Sequence, residues 1–329
     1  MSSAQSWMLY GAAGHTGALI ARHARERGHR PLLAGMRGPA VAALAARLGL
    51  PHQTLALHDP AALSAALDGV HLVLNAAGPF LHTAAPLAEA CLRAGTHYLD
   101  VGNELQVFAA LYDLHERACR AGVAIIPGVG FGVVATNCLA LRVSDAVGGA
   151  HQLDVAARAA TTKPGPGVAA SIRENLPYGG WIRQAGHLRP QPLGSGVTTI
   201  PLPDGPCHVM PFPTGDLEAA FRATGAPGIT AFSPVPAGPG ASGTQAAGLR
   251  AHLSFGWARA TSPDGASAEA WLQTGESYAF TAAASVRAVE ETLARSLCGA
   301  LSPATAFDAD FILTIAGTTR LDTFAAVVK

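Results

Sequence analysis

Lysine is almost missing from this chain: of 329 residues only Lys163 and Lys329 are lysines. A Schiff-base mechanism or a Tyr-x-x-x-Lys catalytic pair therefore has little to draw on. Charge of either sign is scarce, at 13%, and it balances at 22 basic and 22 acidic residues. A formal net charge of zero removes the electrostatic footprint of a nucleic-acid binder. It also gives no pull toward an anionic membrane surface. The five cysteines, Cys91, Cys119, Cys138, Cys207 and Cys298, form no C-x-x-C pair. Small buried hydrophobes in a reducing, cytoplasmic compartment are the expectation for them. The 13 histidines make no H-E-x-x-H or Cys/His cluster, so no metal site is expected. A G-x-S-x-G elbow and a P-loop are missing too.

Long uninterrupted apolar runs are also lacking. The start, MSSAQSWMLYG, has neither the basic flank nor the apolar stretch of a signal peptide. Residues 121–141 carry no charge, but Pro127-Gly128, Gly130 and Gly132 interrupt them. They read as a buried strand, a turn and a helix start rather than a membrane span.

Apolar material is plentiful, with 49% hydrophobic residues, and the length allows two domains or one with a large insertion. The first 145 residues alternate short β-like runs with amphipathic helical runs, the pattern of a parallel sheet covered by helices. Strands are expected at 7–10, 31–34, 54–57, 71–75, 98–101 and 123–126. Gly28, Gly49, Gly95 and Gly122 stand where helices should end. From about residue 153 glycine and proline become frequent, as in 163–167 and 234–243, and β-like runs follow without intervening helices. Residues 249–261 and 267–275 look like neighbouring antiparallel strands, and 277–297 is a long helical pattern. The expected fold class is α/β: a Rossmann-type doubly wound parallel sheet with an inserted α+β second domain. The boundaries are 1–148 for the nucleotide domain, 149–276 for a substrate or dimerisation domain, and 277–329 for a helix and return to the first domain.

The first strand runs into Gly11-Ala-Ala-Gly14-His15-Thr16-Gly17. Glycine is needed here for three reasons. Gly11 allows a tight turn, Gly14 lets a diphosphate approach the main chain, and Gly17 lets the helix pack against the sheet. The N–H groups opening the helix would face the phosphates, with the Thr16 hydroxyl as an added donor. Position at the chain start, after a strand and before a helix, makes the motif specific. The second strand ends in Gly35-Met36-Arg37, with no acidic residue for a ribose 2′-hydroxyl. Arg37 suits a 2′-phosphate, which favours NADP(H) over NAD. Asn75, Ala77, Gly78, Pro79 and Gly102 end the fourth and fifth strands, at the carboxyl edge where such a cofactor lies. Candidates to stabilise or donate charge during hydride transfer are His82, Glu104 and Tyr178. Each has a plain structural alternative: His82 ahead of a helix, Glu104 at a helix start, Tyr178 in packing.

These segments together resemble the saccharopine dehydrogenase-like oxidoreductases, a group that includes trans-acting enoyl reductases. The likeness rests on GAAGHTG, LAGMR, NAAGPF, ACLRAGTHYLDVGNE and AGVAIIPGVGFGVVATNCLA. It extends more loosely through ENLPYGGWIRQAGHL and SPATAFDADFILTIAG. It implies a Rossmann domain, NADP(H), an inserted mixed domain and reduction of a C=C or C=N bond. Some positions depart from the family pattern. His15 stands where tyrosine is common, and Asn103 precedes Glu104 where glycine is usual. Gly132, Ala135 and Asn137 replace the residues of a GFDVVPTDC-like run. The loss of two acidic positions and a proline puts the chemistry of the presumed site in question.

The leading expectation is reduction of an activated C=C bond in a small, weakly charged, secondary-metabolite or lipid-like substrate. A second is imine reduction of the saccharopine type, whose carboxylate-rich substrate would require clustered arginines, with Arg158, Arg173, Arg183 and Arg189 as candidates. A third is a redox-silent nucleotide-binding sensor or cyclase. Partners are expected to be small molecules, with neither nucleic acid nor membrane, and a homodimer is a candidate assembly.

Overall fold

The computed structural model describes residues 6–160, 165–235 and 252–325. The expected glycine-proline stretches at 163–167 and 234–243 lie partly outside these residues, as do Lys163, Lys329 and the first part of the expected strand at 249–261.

The N-terminal half alternates as its sequence predicts. The order is β1 (Trp7–Tyr10), α1 (His15–Glu26), β2 (Leu32–Gly35), α2 (Gly38–Leu48), β3 (His52–Thr54) and α3 (Pro60–Ala66). Then come β4 (Leu72–Asn75), α4 (Phe80–Ala94), β5 (His97–Asp100), α5 (Leu105–Tyr112), α6 (His115–Ala121), β6 (Ala124–Ile126) and α7 (Phe131–Ala146). The strands pair in parallel in the order β6-β5-β4-β1-β2-β3. Period-2 alternation divides their side chains between two cores. Leu9, Leu33, Leu74, Leu99 and Ile126 face α1, α2 and α7. Met8, Ala34, Val73, Tyr98 and Ile125 face α3 to α6. The third strand is displaced from the expected 54–57, because pairing with Leu33–Gly35 is made by His52 to Thr54.

The second half contains β7 (Gln152–Arg158), α8 (Pro166–Asn175), β8 (Gly180–Gln184), β9 (His187–Gln191), β10 (Thr198–Leu202) and β11 (Gly205–Pro211). It continues with α9 (Asp216–Thr224), β12 (Gly228–Pro234), β13 (Ser254–Thr261), β14 (Ser267–Thr274) and α10 (Ser277–Ala294). Last come β15 (Gly299–Ala300), α11 (Pro303–Phe307) and β16 (Thr319–Ala325). A mixed sheet runs β10-β11-β12-β7-β13-β14-β16, with β8 and β9 branching from β12. The expectation of strands without intervening helices is corrected by α8 and α9. The α9 signal was present in the letters: acidic Asp216 and Glu218 in the first turn, and Gly225 as a left-handed C-cap.

α7 joins the two halves. Val134, Ala135, Cys138 and Leu139 are fully buried along with sheet residues Leu153, Ala258, Ala270 and Leu272 in one core. A helix buried nearly all round carries little amphipathic signal, which suits a central position. The C-terminal part divides between the domains. α10 docks on α1, where Glu290 accepts hydrogen bonds from Arg27 at 2.8 Å and pairs with His29 at 2.9 Å. β15 adds to the first sheet beside β6. β16 instead pairs along β14 in the second sheet, so the expected return to the first domain does not extend to that strand. There Arg142 reaches Asp322 at 3.2 Å, tying that strand to α7.

No helix among the described residues is long and apolar enough to cross a membrane.

Candidate functional site

The three glycines at the first strand end have separable jobs. Gly11 adopts φ 80°, and an added Cβ would stand 2.7 Å from the Ala77 nitrogen. A Cβ on Gly17 would stand 2.3 Å from the Gly11 carbonyl oxygen. Both are spent on packing. Gly14 is different: it caps α1 in extended backbone, φ −75° and ψ 170°, and its added Cβ would meet only the Gly11 oxygen, at 3.2 Å. The side of Gly14 that a side chain would occupy is otherwise open, and the first N–H groups of α1 have no intrahelical acceptor. A diphosphate fits that cradle, with charge opposite to the helix terminus. Thr16, two residues beyond Gly14, lines a large neighbouring cavity. His15 turns onto the Tyr278 ring, edge to face with centroids 4.6 Å apart, so α10 borders the cradle.

Arg37 is exposed at the end of β2, and its guanidinium donates to the Ala13 carbonyl at 2.9 Å. That bond carries the side chain over the glycine loop while leaving other N–H groups for a phosphate.

The carboxyl ends of β4 and β5 are held by a buried polar chain. Asn75 donates to Thr83 at 3.1 Å and to the Tyr98 hydroxyl at 3.2 Å, and accepts from the Ala77 amide at 3.0 Å. Tyr98 donates to Asp100 at 2.9 Å, and Asp100 accepts from the Gly102 and Gly128 amides at 2.9 and 3.0 Å. Burial pushes the Asp100 carboxyl up to about 6, against the lowering effect of those hydrogen bonds. Asn75 is fully enclosed and both ends of its amide are engaged. Its reading as a cofactor contact is therefore corrected: it shapes the loop from behind. Ala77 and Pro79 belong to that loop, Pro79 capping α4 after a cis Gly78–Pro79 bond. Gly78 and Gly102 line the cavity itself.

That cavity has a volume of about 630 Å³ and runs from Thr16, Ala76 and Gly78, beside the cradle, to the second sheet. Its far wall includes Val155, Ala157, Met210, Phe212 and Phe232, while α8 contributes Val168 and Ile172 and the 3-10 turn after it Leu176. The lining holds two carboxyl groups, Glu104 and Asp216, and no Arg, Lys or His among the described residues.

Of the three candidate catalytic side chains, the structure brings only Glu104 to the cavity. Its carboxylate accepts from the Phe80 amide at 3.1 Å, the Asn103 amide at 3.0 Å and the Ser171 hydroxyl at 2.6 Å. It is 2% exposed and fastens α8 to the first domain. His82 is corrected: it is largely exposed on α4, pairs with Glu174 at 3.3 Å and does not line the cavity. Tyr178 is corrected as well, because it sits half-exposed in a 3-10 turn after α8 and lies off the cavity. Asp216, Thr136 and Thr214 do line it, and sequence reasoning missed all three. Asp216 accepts from the Thr136 hydroxyl and, at 3.2 Å, from the Asn103 amide group.

The departures at 132, 135 and 137 separate in space. Asn137 is buried, donating to Ala219 and accepting from Ala304, and Ala135 packs against Gly256 under β13. Only Gly132 lines the cavity, beside Asn103. No group of three or more metal-ligating side chains occurs among the described residues.

Residues 7–126 match the family model of the saccharopine dehydrogenase NADP binding domain. A trans-acting enoyl reductase of Mycobacterium ulcerans (strain Agy99) is 33% identical over 142 residues, 40% of this chain and 34% of that protein. One from Mycobacterium leprae (strain TN) is 34% identical over 138 residues, 40% of this chain and 33% of that protein. The aligned part thus spans about a third of the length of those relatives. Saccharopine dehydrogenase (L-Glu forming) from Saccharomyces cerevisiae has the same fold, with TM-score 0.67 at 11% identity, covering 98% of this chain and all of that one. The match of residues 7–126 agrees with the NADP(H) cofactor that the sequence leads one to expect.

Proposed function

We propose that this chain, with its saccharopine dehydrogenase-type NADP-binding domain at residues 7–126, is an NADPH-dependent reductase of an activated C=C bond in an apolar, weakly charged substrate. The observation that carries the reading is the wall of the cavity. It opens from the dinucleotide cradle and is faced with aliphatic and aromatic side chains and no described cationic one. Trans-acting enoyl reductases among the relatives support the same direction.

The cradle at Gly14 and the helix α1 terminus would hold the diphosphate, and Arg37 the 2′-phosphate. NADPH, when bound, supplies a hydride. The chain's own part is to orient and to exclude water. Val168 and Ile172 on α8, with Leu176 just after it, close one side of the cavity, and the Ser171–Glu104 bond holds that helix down. Reduction of the double bond puts hydride on one carbon and a proton on the other. Glu104, already acceptor to three donors, is on this reading a positioning residue rather than the acid.

The imine reading is less well supported. Its substrate needs converging cations, yet Arg158 pairs with Asp204 and Arg183 with Glu218. Arg173 and Arg189 are absent from the lining too. The redox-silent reading drew on the lost acidic positions, of which 137 faces the core rather than the cavity.

Incubating the protein with NADPH and a panel of enoyl thioesters, enoyl esters and imines tests the proposal. Oxidation of NADPH is expected with an α,β-unsaturated acyl compound of apolar chain. Stereospecific deuteride transfer into the product would dismiss the redox-silent alternative, and turnover of imines alone would overturn the C=C assignment. Replacing Arg37 with alanine is expected to weaken NADPH binding by about 10- to 100-fold, the worth of a charge-assisted phosphate contact. NADH binding should stay unchanged, and titration calorimetry with both nucleotides reads the difference.

A further inference from the structure

Sequence alone groups the five cysteines as small buried hydrophobes, and the structure separates them. Cys91, Cys138 and Cys207 are buried, and burial pushes each thiol up, which keeps it inert. Cys119 is half-buried and Cys298 exposed. Cys119 lies in the last turn of α6, and Cys298 directly precedes β15, the short strand that joins the first sheet beside β6. That pairing brings two cysteines distant in the chain together as hydrogen-bonding neighbours.

The place where they meet is closely built. Gly299 has φ 91°, and an added Cβ would stand 3.0 Å from Sγ of Cys119 and 2.7 Å from Cε1 of His115. Glycine thus lets the main chain after Cys298 run close against α6. Two links hold it there: the Gly299 amide donates to the Val123 carbonyl at 2.9 Å, and the Leu301 amide to the Ile125 carbonyl at 2.9 Å. His115 completes the cluster. Its Nδ1 accepts from the Ala300 amide at 3.2 Å, so the neutral ring carries its proton on Nε2. When the ring is charged, Nδ1 donates to the Ala300 carbonyl oxygen, 3.3 Å away, and Nε2 keeps its proton. In both states the Nε2–H group stands beside Sγ of Cys119, 3.7 Å away. Partial burial, and after it the Cys298 thiol, hold the Cys119 thiol above its ordinary range. The exposed Cys298 is therefore the first to meet an oxidant, with Cys119 as its resolving partner.

We propose that Cys119 and Cys298 are a dithiol that a hydroperoxide converts to a disulfide, with His115 as a positioning residue. The Cys298 thiolate attacks the outer oxygen of the hydroperoxide. A sulfur–oxygen bond forms, the peroxide bond breaks, and the alkoxide leaves as an alcohol with the proton that Cys298 gave up. The Cys119 sulfur then attacks the Cys298 sulfenic acid, while the His115 N–H stabilises negative charge on it. The S–S bond forms, the S–O bond breaks, and hydroxide leaves as water with the proton of Cys119. The thiols lose two electrons, and the peroxide gains them. The bond ties α6 to the segment between α10 and β15, and it stands apart from the reductase reading.

The test treats the reduced full-length chain with cumene hydroperoxide, alkylates it in denaturant and maps the cysteines by mass spectrometry. Two of the five thiols should be lost as one Cys119–Cys298 link within a chain, and dithiothreitol should restore both. The melting midpoint should rise by about 5 °C on oxidation and fall back on reduction. Cys119→Ser should leave a sulfenic acid on Cys298 that dimedone traps, and Cys298→Ser should leave residue 119 unlabelled. His115→Phe should slow closure of the disulfide about tenfold while the first oxidation of Cys298 keeps its rate. A general loosening of the fold would not split the two steps. Melting curves of the reduced variants check folding, and Cys298→Ser, at an exposed position, guards against loss of Cys119→Ser. Links to Cys91, Cys138 or Cys207, a bond between Cys298 of two chains, or no bond at all would overturn the assignment, whether or not NADPH is oxidised. Closure at the wild-type rate in His115→Phe would overturn the role of His115.

Discussion

Gly14→Val is expected to raise the dissociation constant for NADPH about 100-fold while leaving the ligand-free protein folded. The argument is geometric. Gly14 has an ordinary extended backbone, so a side chain is not strained there, and its Cβ would meet one carbonyl oxygen at 3.2 Å. The valine instead fills the face toward which the N-terminus of α1 points, and the diphosphate can no longer approach the N–H groups. Losing about 3 kcal/mol of such contacts gives the stated factor. Stability of the free protein should change by about 1 kcal/mol, the cost of a poorer helix cap. Gly17→Val supplies the contrast. Its Cβ would stand 2.3 Å from the Gly11 oxygen and 2.9 Å from the Ala12 Cα, so the free protein itself should lose about 3 kcal/mol. Calorimetry with NADPH and denaturant unfolding of both variants separate the effects. Unchanged affinity in Gly14→Val would remove the basis for placing the nucleotide here.

The second large effect belongs to Asp100. Asp100→Ala is expected to destabilise the protein by about 4 kcal/mol, because the Gly102 and Gly128 amides and the Tyr98 hydroxyl each lose a buried acceptor. Those three donors come from two chain segments, β5 with its loop and the turn after β6, at the carboxyl edge of the first sheet, so the cavity's floor should loosen with them.

Asp100 also imposes a pH dependence. Burial raises the carboxyl from 3.8 to about 6, so between these values the folded protein holds a proton that the unfolded chain has lost. Its contribution to stability therefore falls as pH rises from about 4 to about 6, by roughly 3 kcal/mol, and is level above that. Carboxylates such as Glu290 act oppositely. Burial raises that group, but hydrogen bonds from Arg27 and His29 outweigh it and hold it below its ordinary range. The diagnostic is thus the difference between wild type and Asp100→Asn, measured by denaturant unfolding from pH 4 to 7. A difference that stays flat across that window would contradict the assignment.

Much of the nucleotide half was legible because its signals are local. A strand, three glycines and a helix start lie within eleven residues, and each glycine answers to a steric demand that sequence spacing exposes. Arg37 in place of an acidic residue was equally readable at the end of β2. The catalytic candidates fared differently. His82 and Tyr178 were chosen by proximity in sequence to loops of the crevice, and each side chain lies away from the cavity. Asp216 was passed over because it opens a short amphipathic helix, where an acidic first turn is explained by the helix dipole alone.

By itself the sequence determined the parallel sheet and pointed to NADP(H) as the cofactor, since hydrophobic period, glycine spacing and one cation are properties of contiguous residues. Tertiary structure decided what lines the cavity. α7 brings the second sheet over the cradle, and the loops at 103 and 214 meet across more than a hundred residues. Which side chains then share a cavity depends on packing between segments distant in the chain, and no local pattern encodes that.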